Sequence, residues 1–418
     1  MRATKATRLA ALIVCMTSVL ALGACAPVVL RAPSASQAED SSESRETIRT
    51  LRADQQFAEL PITTVAQQAR AMRPEQPFNI LALSGGGANG AFGAGALVGL
   101  AQSGARPTFA VVTGVSAGAL IAPYAFLGPE WDRQLADAYT SGRAEDLLQP
   151  SGFGVVFGSS AYRGSPLKRL VEHYLTDALV QALAREAASG RLLLVATTNV
   201  DTGETVVWDL GSIAMNGGER AKPLLRDVLV ASASVPGLFP PVIIRIHERG
   251  RQFDEAHVDG TATAPFLVPA GLAQQPRGFD PSPRPTAVYV IVDGRLSEEP
   301  QPVQLRFRAI LSRSISAGLT HMMRTSLELT ATSTELQGAH FEYAAIPAAY
   351  GNLAPFDFNA STMRTLFQYG YDCAHTGRLW ISSPRIANRD TDRAGGEGTS
   401  ESIRCPAEDQ FIGRFAVR

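Results

Sequence analysis

The stretch FNILALSGGGANG, residues 78–90, decides how this chain can fold. It joins an apolar run, Phe78–Leu83, to a row of glycines and then to a segment of small residues. A continuous apolar run is typical of a strand that is buried on both faces of a parallel sheet. Glycine allows the tight turn by which such a strand passes into a helix. The stretch therefore predicts a buried strand, a glycine turn and a helix that begins near Gly90.

The stretch VVTGVSAG, residues 111–118, repeats this pattern further along the chain. The apolar run Phe109–Thr113 leads into a G-x-S-x-G sequence in which Gly114 and Gly118 flank Ser116. Between a strand and a helix, this sequence exposes a nucleophilic serine on a sharp bend. The N-terminus of the helix also favours the negative charge that develops on such a serine. Ser116 is therefore the candidate nucleophile.

The glycine turn has two interpretations. Its spacing matches the G-x-G-x-x-G of a dinucleotide site, but no acidic residue ends a second strand about 20 residues further on, where the ribose partner belongs. Consecutive glycines can instead direct several N–H groups at one anion, as the oxyanion of an acyl transfer requires. We expect an oxyanion hole formed by Gly85, Gly86, Gly87 and Ala117, with Gly90 completing the turn.

The general base is not fixed by these two turns. Three of the six histidines, His321, His340 and His375, follow both Ser116 and the candidate acids, as the order Ser, acid, His of an α/β-hydrolase triad requires. None of the three stands at a strand end marked by glycine. Two Asp-Gly pairs, at residues 259–260 and 293–294, do close extended apolar segments. An ionised aspartate beside the serine can accept its proton directly. The residues alone therefore offer an aspartate as the alternative to a histidine base, and they leave both aspartates open.

Taken in order, these motifs resemble those of the patatin-like phospholipase family. The resemblance is carried by Gly85–Gly90, by Gly114–Gly118, by the Asp259-Gly260 pair and by the block Ala231–Pro241, ASASVPGLFPP, that precedes it. It extends from about Asn79 to Val292. It implies a mixed α/β fold of three layers, with a mostly parallel sheet and helices on both faces.

The resemblance also implies a function. Ser116 corresponds to the family's nucleophile and Asp259 to its partner, because Asp259 follows the Pro-containing block closely and Asp293 does not. The implied activity is hydrolysis of fatty-acyl esters in phospholipids or lysophospholipids through an acyl-serine, without a catalytic histidine. An acyltransferase using the same acyl-serine, or a non-catalytic envelope lipoprotein, are the alternatives. Two positions depart from the family pattern: Asn89 stands where a basic residue is usual, and Thr261 where alanine or glycine is usual.

The beginning of the chain predicts where the protein works. A basic segment at residues 2–8 precedes the uncharged run Leu9–Ala24, which is short for a bilayer span of about 20 residues and is typical of a signal peptide. The run ends in Leu-Gly-Ala before Cys25, and this resembles the lipobox of bacterial lipoproteins. We expect Cys25 to be acylated and to anchor the protein in a membrane. Ala26 implies the outer membrane, with the protein facing the periplasm.

The composition of the chain narrows the possible classes of function further. A net charge of −1 gives no electrostatic reason to bind nucleic acid. Besides Cys25 and a cysteine in the signal peptide, the chain has Cys373 and Cys405, which we expect to pair in an oxidising compartment. The six histidines are scattered, without the spacing of metal ligands. We predict neither a metal nor a cofactor, and the substrate that the resemblance implies is a lipid.

Apolar strand candidates alternate with helix candidates along the central part of the chain. This order predicts an α/β fold with a mostly parallel sheet that is covered by helices on both faces. The predicted organisation is a signal peptide at 1–24, a lipidated N-terminus and tether at 25–73, a patatin-like hydrolase domain at 74–384 and a flexible C-terminal tail at 385–418.

Overall fold

The computed structural model describes residues 47–150, 159–273, 286–297, 302–347, 350, 353–382 and 405–406. The predicted signal peptide and Cys25 lie outside these residues, as does most of the tail predicted over 385–418.

The described strands and helices follow one another in the order that the sequence predicts for an α/β protein. The strands are β1 (Thr47–Leu51), β2 (Phe57–Pro61), β3 (Phe78–Leu83), β4 (Val111–Val115), β5 (Leu192–Asn199), β6 (Thr205–Asp209), β7 (Val242–Glu248), β8 (Arg251–Asp259), β9 (Thr286–Val292), β10 (His340–Ala345) and β11 (Ile381–Ser382). The helices are α1 (Ile62–Met72), α2 (Gly90–Gln102), α3 (Ala117–Leu127), α4 (Asp132–Thr140), α5 (Ser165–Tyr174), α6 (Asp177–Ala188), α7 (Leu210–Asn216), α8 (Ala221–Ser232), α9 (Ala270–Ala273), α10 (Phe307–Leu336) and α11 (Ala360–His375).

The strands form one sheet with a parallel centre. Its order is β11-β10-β9-β3-β4-β5-β6-β1-β2, and β8 pairs with both β5 and β7. The five strands from β10 to β5 run parallel to one another, whereas β11, β6, β8, β7 and β2 join by antiparallel pairing. The predicted mixed α/β fold with a mostly parallel sheet is therefore confirmed.

Two apolar cores lie on opposite faces of the sheet. One core joins the sheet to α2, α3, α8 and α11, and the other joins it to α1 and α10. Helix α2, which follows the glycine turn, lies very close to α11. A Cβ atom on Gly95 of α2 would stand 2.8 Å from the carbonyl carbon of Phe367 in α11, so only glycine permits this spacing. The contact holds in place the helix that begins at the glycine turn.

The tether predicted over residues 25–73 is wrong from Thr47 onward. Strand β1 pairs with β2 and with β6, and α1 packs its apolar side on the sheet. Arg49 of β1 is buried and donates from Nη1 to Glu255 Oε2 of β8 over 2.7 Å. The segment is polar in composition, but a buried ion pair and strand pairing supplied by distant residues incorporate it into the sheet.

The C-terminal part of the described chain is tied to α11 by a disulfide. Cys373 of α11 bonds Cys405, and both cysteines are buried. Among the described residues, no helix is both long and apolar enough to cross a bilayer.

Candidate active site

Ser116 stands on a strained turn between β4 and α3. Its φ of 54° and ψ of −122° are unfavourable for a residue with a side chain. The flanking glycines make the turn possible. A Cβ atom on Gly114 would lie 2.5 Å from the Gly118 carbonyl oxygen, and a Cβ atom on Gly118 would lie 2.6 Å from the Ser84 carbonyl oxygen. The turn projects the serine side chain beyond the carboxyl end of the sheet.

A second serine holds this turn in place. The Ser116 N–H donates to Ser232 Oγ over 3.0 Å, and the Ser232 hydroxyl donates to the Ala196 carbonyl of β5 over 2.7 Å. Ser232 is the last residue of α8 and is fully buried. Sequence reasoning missed this residue, although it lies in the block Ala231–Pro241 that carries part of the family resemblance.

Strand pairing brings Asp259 to Ser116. Strand β8 pairs antiparallel with β5, and Asp259 of β8 lies opposite Thr197 of β5. Thr197 comes one residue after the β5 residue that pairs with Val115 of β4, and Val115 is followed by Ser116. Ser116 Oγ donates to Asp259 Oδ2 over 2.6 Å, and the Thr261 N–H donates to Asp259 Oδ1 over 2.8 Å. The structure thus brings together the two residues that the motifs single out.

The carboxyl group of Asp259 is only 1% exposed. This burial raises its pKa from 3.8 to about 6, although its hydrogen bonds from Ser116 and Thr261 act in the opposite direction. The carboxylate is therefore ionised at neutral pH and more basic than an ordinary aspartate. The next residue, Gly260, has no room for a side chain, since a Cβ atom would lie 2.5 Å from the Ala196 carbonyl oxygen.

The glycine turn lies beside Ser116, as the sequence predicts, and its three glycines have different structural roles. A Cβ atom on Gly85 would lie 3.1 Å from Ser116 Cβ, so Gly85 provides space for the serine. A Cβ atom on Gly86 would lie 2.6 Å from Asp293 Cβ. Gly87 has a φ of 59°, which glycine adopts without strain. All three positions therefore require glycine.

The prediction that Gly85 donates to an oxyanion is wrong. Its N–H already donates to the Pro265 carbonyl over 3.0 Å. In the described part of the chain, no backbone acceptor meets the N–H of Gly86 or Gly87. The N–H of Ala117 belongs to the first turn of α3, where helix N–H groups lack partners within the helix. Gly86, Gly87 and Ala117 therefore remain as candidate donors.

Gly90 joins the two turns. It is the first residue of α2, and a Cβ atom there would lie 3.0 Å from Ala117 Cβ at the start of α3. The N-termini of the two helices are thus close together beside Ser116.

Asp293, the other aspartate left open by the sequence, occupies a different place. Its Oδ1 accepts the Gly93 N–H over 2.8 Å, and its own N–H donates to Ser84 Oγ. It is fully buried, and burial raises its pKa well above 3.8. It lies beneath the glycine turn and does not hydrogen-bond Ser116.

The downstream histidines are also placed elsewhere. His321 is on α10 beside Arg324, His340 begins β10 beside Glu342, and His375 ends α11. None of them hydrogen-bonds Ser116 among the described residues.

Ser116 opens onto an apolar pocket. The pocket also includes Gly87 and Ala117, two of the candidate oxyanion donors. Its wall is formed by aliphatic and aromatic side chains from several helices, including Leu120, Leu167, Val171, Leu229, Phe239 and Met363. Such a lining suits a hydrocarbon chain next to the serine.

The two departures from the family pattern lie near this site. Asn89 is buried at the start of α2. Thr261 packs its hydroxyl against Gly85 and gives its N–H to Asp259. Its Oγ1 is buried without a hydrogen-bond partner among the described residues.

Among the described residues, no group of three or more His, Cys, Asp or Glu side chains could hold a metal ion. The absence of a metal and of a cofactor from the reaction stays a prediction.

No curated protein matches this chain. The solved structure of VipD from Legionella pneumophila is similar at 13% sequence identity, over 84% of this chain and 74% of that chain, with a TM-score of 0.32. The family model described as patatin-like phospholipase matches residues 81–271, a range that includes both turns, Ser232, Asp259 and Gly260. Residues 81–271 of this chain are therefore similar to a patatin-like phospholipase domain.

Proposed function

We propose that this chain hydrolyses fatty-acyl esters of phospholipids or lysophospholipids, with Ser116 as nucleophile and Asp259 as general base. The patatin-like phospholipase domain supports lipid acyl hydrolysis in general. The observation that carries the finer proposal is the 2.6 Å hydrogen bond from Ser116 Oγ to a buried carboxylate. Ser116 also lines a pocket whose other walls are mainly hydrocarbon side chains.

In the first half of the reaction, Asp259 Oδ2 takes the proton of Ser116 as Oγ attacks the ester carbonyl. The resulting oxyanion is stabilised by the N–H groups of Gly86, Gly87 and Ala117. Removing one such donor typically costs about 3–4 kcal/mol of transition-state stabilisation. Collapse of the intermediate breaks the ester bond, and Asp259 returns the proton to the departing alcohol oxygen. The acyl group remains on Ser116.

In the second half, water replaces the alcohol. Asp259 takes a proton from the water, whose oxygen attacks the acyl-serine carbonyl and forms a second oxyanion in the same place. Collapse breaks the bond to Ser116 Oγ, which regains its proton from Asp259. The fatty acid leaves, and both side chains return to their starting protonation states.

The test is incubation of the purified protein with defined phospholipids, lysophospholipids and short-chain esters, followed by mass analysis of the products. Ser116→Ala and Asp259→Ala should each abolish hydrolysis while leaving the fold intact. His321→Ala, at an exposed position on α10, is the matched control and should keep full activity. Labelling by a fluorophosphonate probe should disappear with Ser116→Ala and persist with His321→Ala.

Three results would contradict the proposal. Full hydrolysis by Asp259→Asn would remove Asp259 as the base. Transfer of the acyl group to an added alcohol, with no free fatty acid, would make the protein an acyltransferase. Failure of the fluorophosphonate probe to label the folded protein would favour a non-catalytic role.

We also propose that acylated Cys25 anchors the protein in the outer membrane, facing the periplasm. The support is the lipobox-like sequence that ends at Cys25. Incorporation of a labelled fatty acid, lost in Cys25→Ser, tests the modification. Fractionation of the envelope tests the location.

A further inference from the structure

A short segment between β10 and α11 contributes to the site, although it lies outside residues 81–271, which the family model matches. This segment, Leu353–Asn359, is called the strap below. Two of its side chains, Phe356 and Phe358, line the pocket onto which Ser116 opens. The strap therefore forms part of the pocket wall that the matched region does not supply.

The strap also holds the glycine turn. The Pro355 carbonyl accepts the Ala88 N–H over 2.7 Å, and a Cβ atom on Gly87 would collide with the same carbonyl oxygen. At the other end of the turn, the Gly85 N–H donates to the carbonyl of a second proline. The candidate oxyanion donors Gly86 and Gly87 therefore lie between two amides that are each fixed by a residue far away in the chain.

Hydrogen bonds to acidic side chains fix the strap where it passes into α11. Asp357 Oδ1 accepts the Asn359 N–H over 3.2 Å, and its Oδ2 accepts the Thr362 hydroxyl over 3.3 Å. Glu145 Oε1 accepts the N–H of Ala360, the first residue of the helix, over 2.8 Å. A strap that is held in this way presents its two phenylalanines to the pocket in a fixed arrangement.

The strap brings an incompletely buried aromatic ring to the pocket. Phe356 is 42% exposed and directly follows Pro355, whose carbonyl meets the glycine turn. The same pocket is lined by Ser116 and Gly87. Covering exposed apolar surface with a hydrocarbon chain is favourable, because it removes that surface from water. An acyl chain in the pocket therefore gains more from contact with Phe356 than from contact with a side chain that is already buried.

We propose that the strap selects the acyl group of the substrate: Phe356 and Phe358 contact a long acyl chain, and the Pro355 carbonyl positions the glycine turn for the oxyanion. This selection rests on the proposed acyl hydrolysis and adds to it a preference for long over short acyl chains. The two phenylalanines contribute binding of the chain, whereas Pro355 acts through the turn.

The experiment measures kcat and KM of the purified protein on the p-nitrophenyl esters of acetate, hexanoate and decanoate. The variants are Phe356→Ala, Phe358→Ala, Phe356→Leu and Pro355→Gly. The matched control is Phe307→Ala, because Phe307 is 78% exposed on α10 and does not line the pocket. Urea unfolding of each variant measures whether the fold is kept.

We expect the wild type to prefer decanoate to acetate. Phe356→Ala and Phe358→Ala should each lower the ratio of kcat/KM on decanoate to that on acetate by roughly tenfold, since each removes apolar contact with the chain. The loss should come mainly from KM on decanoate, because this contact is made before and during the reaction. Phe356→Leu should restore most of the ratio.

Pro355→Gly should act differently. It loosens the carbonyl that accepts the Ala88 N–H, so it should lower kcat on all three esters, by up to about 100-fold, and keep the ratio between them. The control Phe307→Ala should keep both kcat and the ratio.

An unchanged ratio in both alanine variants of the phenylalanines would overturn the acyl contact. So would an equal fall on all esters together with a lower free energy of unfolding, because the two rings would then be structural only. An unchanged kcat in Pro355→Gly would overturn the positioning role.

If the protein cleaves none of the esters, the proposed function fails. Calorimetric titration with decanoate then tests the strap alone. Binding that weakens about tenfold in Phe356→Ala, and is kept in Phe307→Ala, would uphold the contact with the chain. Equal binding by the two variants, or none by the wild type, would overturn it.

Discussion

Replacing Asp259 with asparagine should stabilise the fold while it removes activity. Burial raises the pKa of Asp259 from 3.8 to about 6, so holding the carboxylate ionised in the folded protein is unfavourable. A shift of about two pKa units corresponds to about 3 kcal/mol. Asparagine carries no charge, and its amide can still meet both Ser116 Oγ and the Thr261 N–H. We therefore expect Asp259→Asn to increase the free energy of unfolding by about 3 kcal/mol when the wild-type carboxyl is ionised.

The direction in which folding changes the pKa of Asp259 determines how the stability gained by Asp259→Asn depends on pH. The folded-state pKa lies above the unfolded-state value, so protonation of Asp259 favours the folded state. That contribution is fully present below about pH 4 and is lost as the pH rises through about 6. The variant should therefore be no more stable than the wild type at about pH 4, and should reach its full advantage above about pH 6.

Urea unfolding followed by circular dichroism, at several pH values across this range, measures the difference. In parallel, kcat/KM on a soluble ester should fall by at least about 100-fold, the usual lower bound for loss of a general base. Asp254→Asn on the same strand is the matched control, because that side chain is 43% exposed and should change neither quantity much. A variant that is no more stable than the wild type at about pH 8 would refute the claim that burial makes Asp259 basic.

Three further predictions concern the same site. The kcat/KM of the wild type on a soluble ester should rise with pH and level off above about 6, because Asp259 must be ionised to accept the serine proton; a profile that is flat through that range would contradict this. Gly86→Ala should lower kcat by about 100-fold, because the new Cβ atom would lie 2.6 Å from Asp293 Cβ and would displace the turn. The control Gly294→Ala should leave kcat unchanged, because a Cβ atom on Gly294 would have no neighbouring atom within 4 Å. Ser232→Ala leaves the Ser116 N–H unpaired, so it should lower kcat and should lower the free energy of unfolding by about 1–3 kcal/mol. The control Ser234→Ala should not change kcat, because the Ser234 hydroxyl donates only to the Val230 carbonyl. Steady-state kinetics and urea unfolding of the four variants measure these effects.

The parts of the fold that could be predicted are those set by neighbouring residues. Strand β3 has the predicted bounds Phe78–Leu83, and the helices after both turns begin at the predicted residues Gly90 and Ala117. Strand β4 runs from Val111 to Val115, two residues later than predicted, because its pairing with β5 continues as far as Val115. Apolar runs and glycines carry this information locally, whereas the end of a strand depends on its partner.

The parts that could not be predicted depend on contacts between distant residues. The Gly85 amide is engaged by Pro265, and the Ser116 amide by Ser232. Strand β1 joins the sheet through a buried pair between Arg49 and Glu255. In each case the partner is more than a hundred residues away in the chain, and no pattern around either residue indicates it.

The choice between the two Asp-Gly pairs shows the same limit. Both Asp259 and Asp293 end a buried strand and precede glycine, so their local sequences predict the same geometry. Their positions differ because β8 pairs with β5, beside the strand that carries Ser116, whereas β9 pairs with β3 on the far side of the glycine turn. The resemblance to a known family selected Asp259, and strand pairing provides the physical reason.

Burial alone does not make an aspartate a useful base, and the two aspartates show why. A general base is most efficient when its pKa lies near the working pH, and burial of either carboxyl raises the pKa in that direction. Asp259 accepts hydrogen bonds from the Ser116 hydroxyl and the Thr261 N–H, which limit the rise to about 6 and keep the group ionised at neutral pH. Asp293 has the Gly93 N–H alone to oppose its burial, and its pKa rises well above the ordinary value. In the proposed mechanism, burial balanced by two hydrogen-bond donors gives Asp259 the basicity that a histidine supplies in other serine hydrolases.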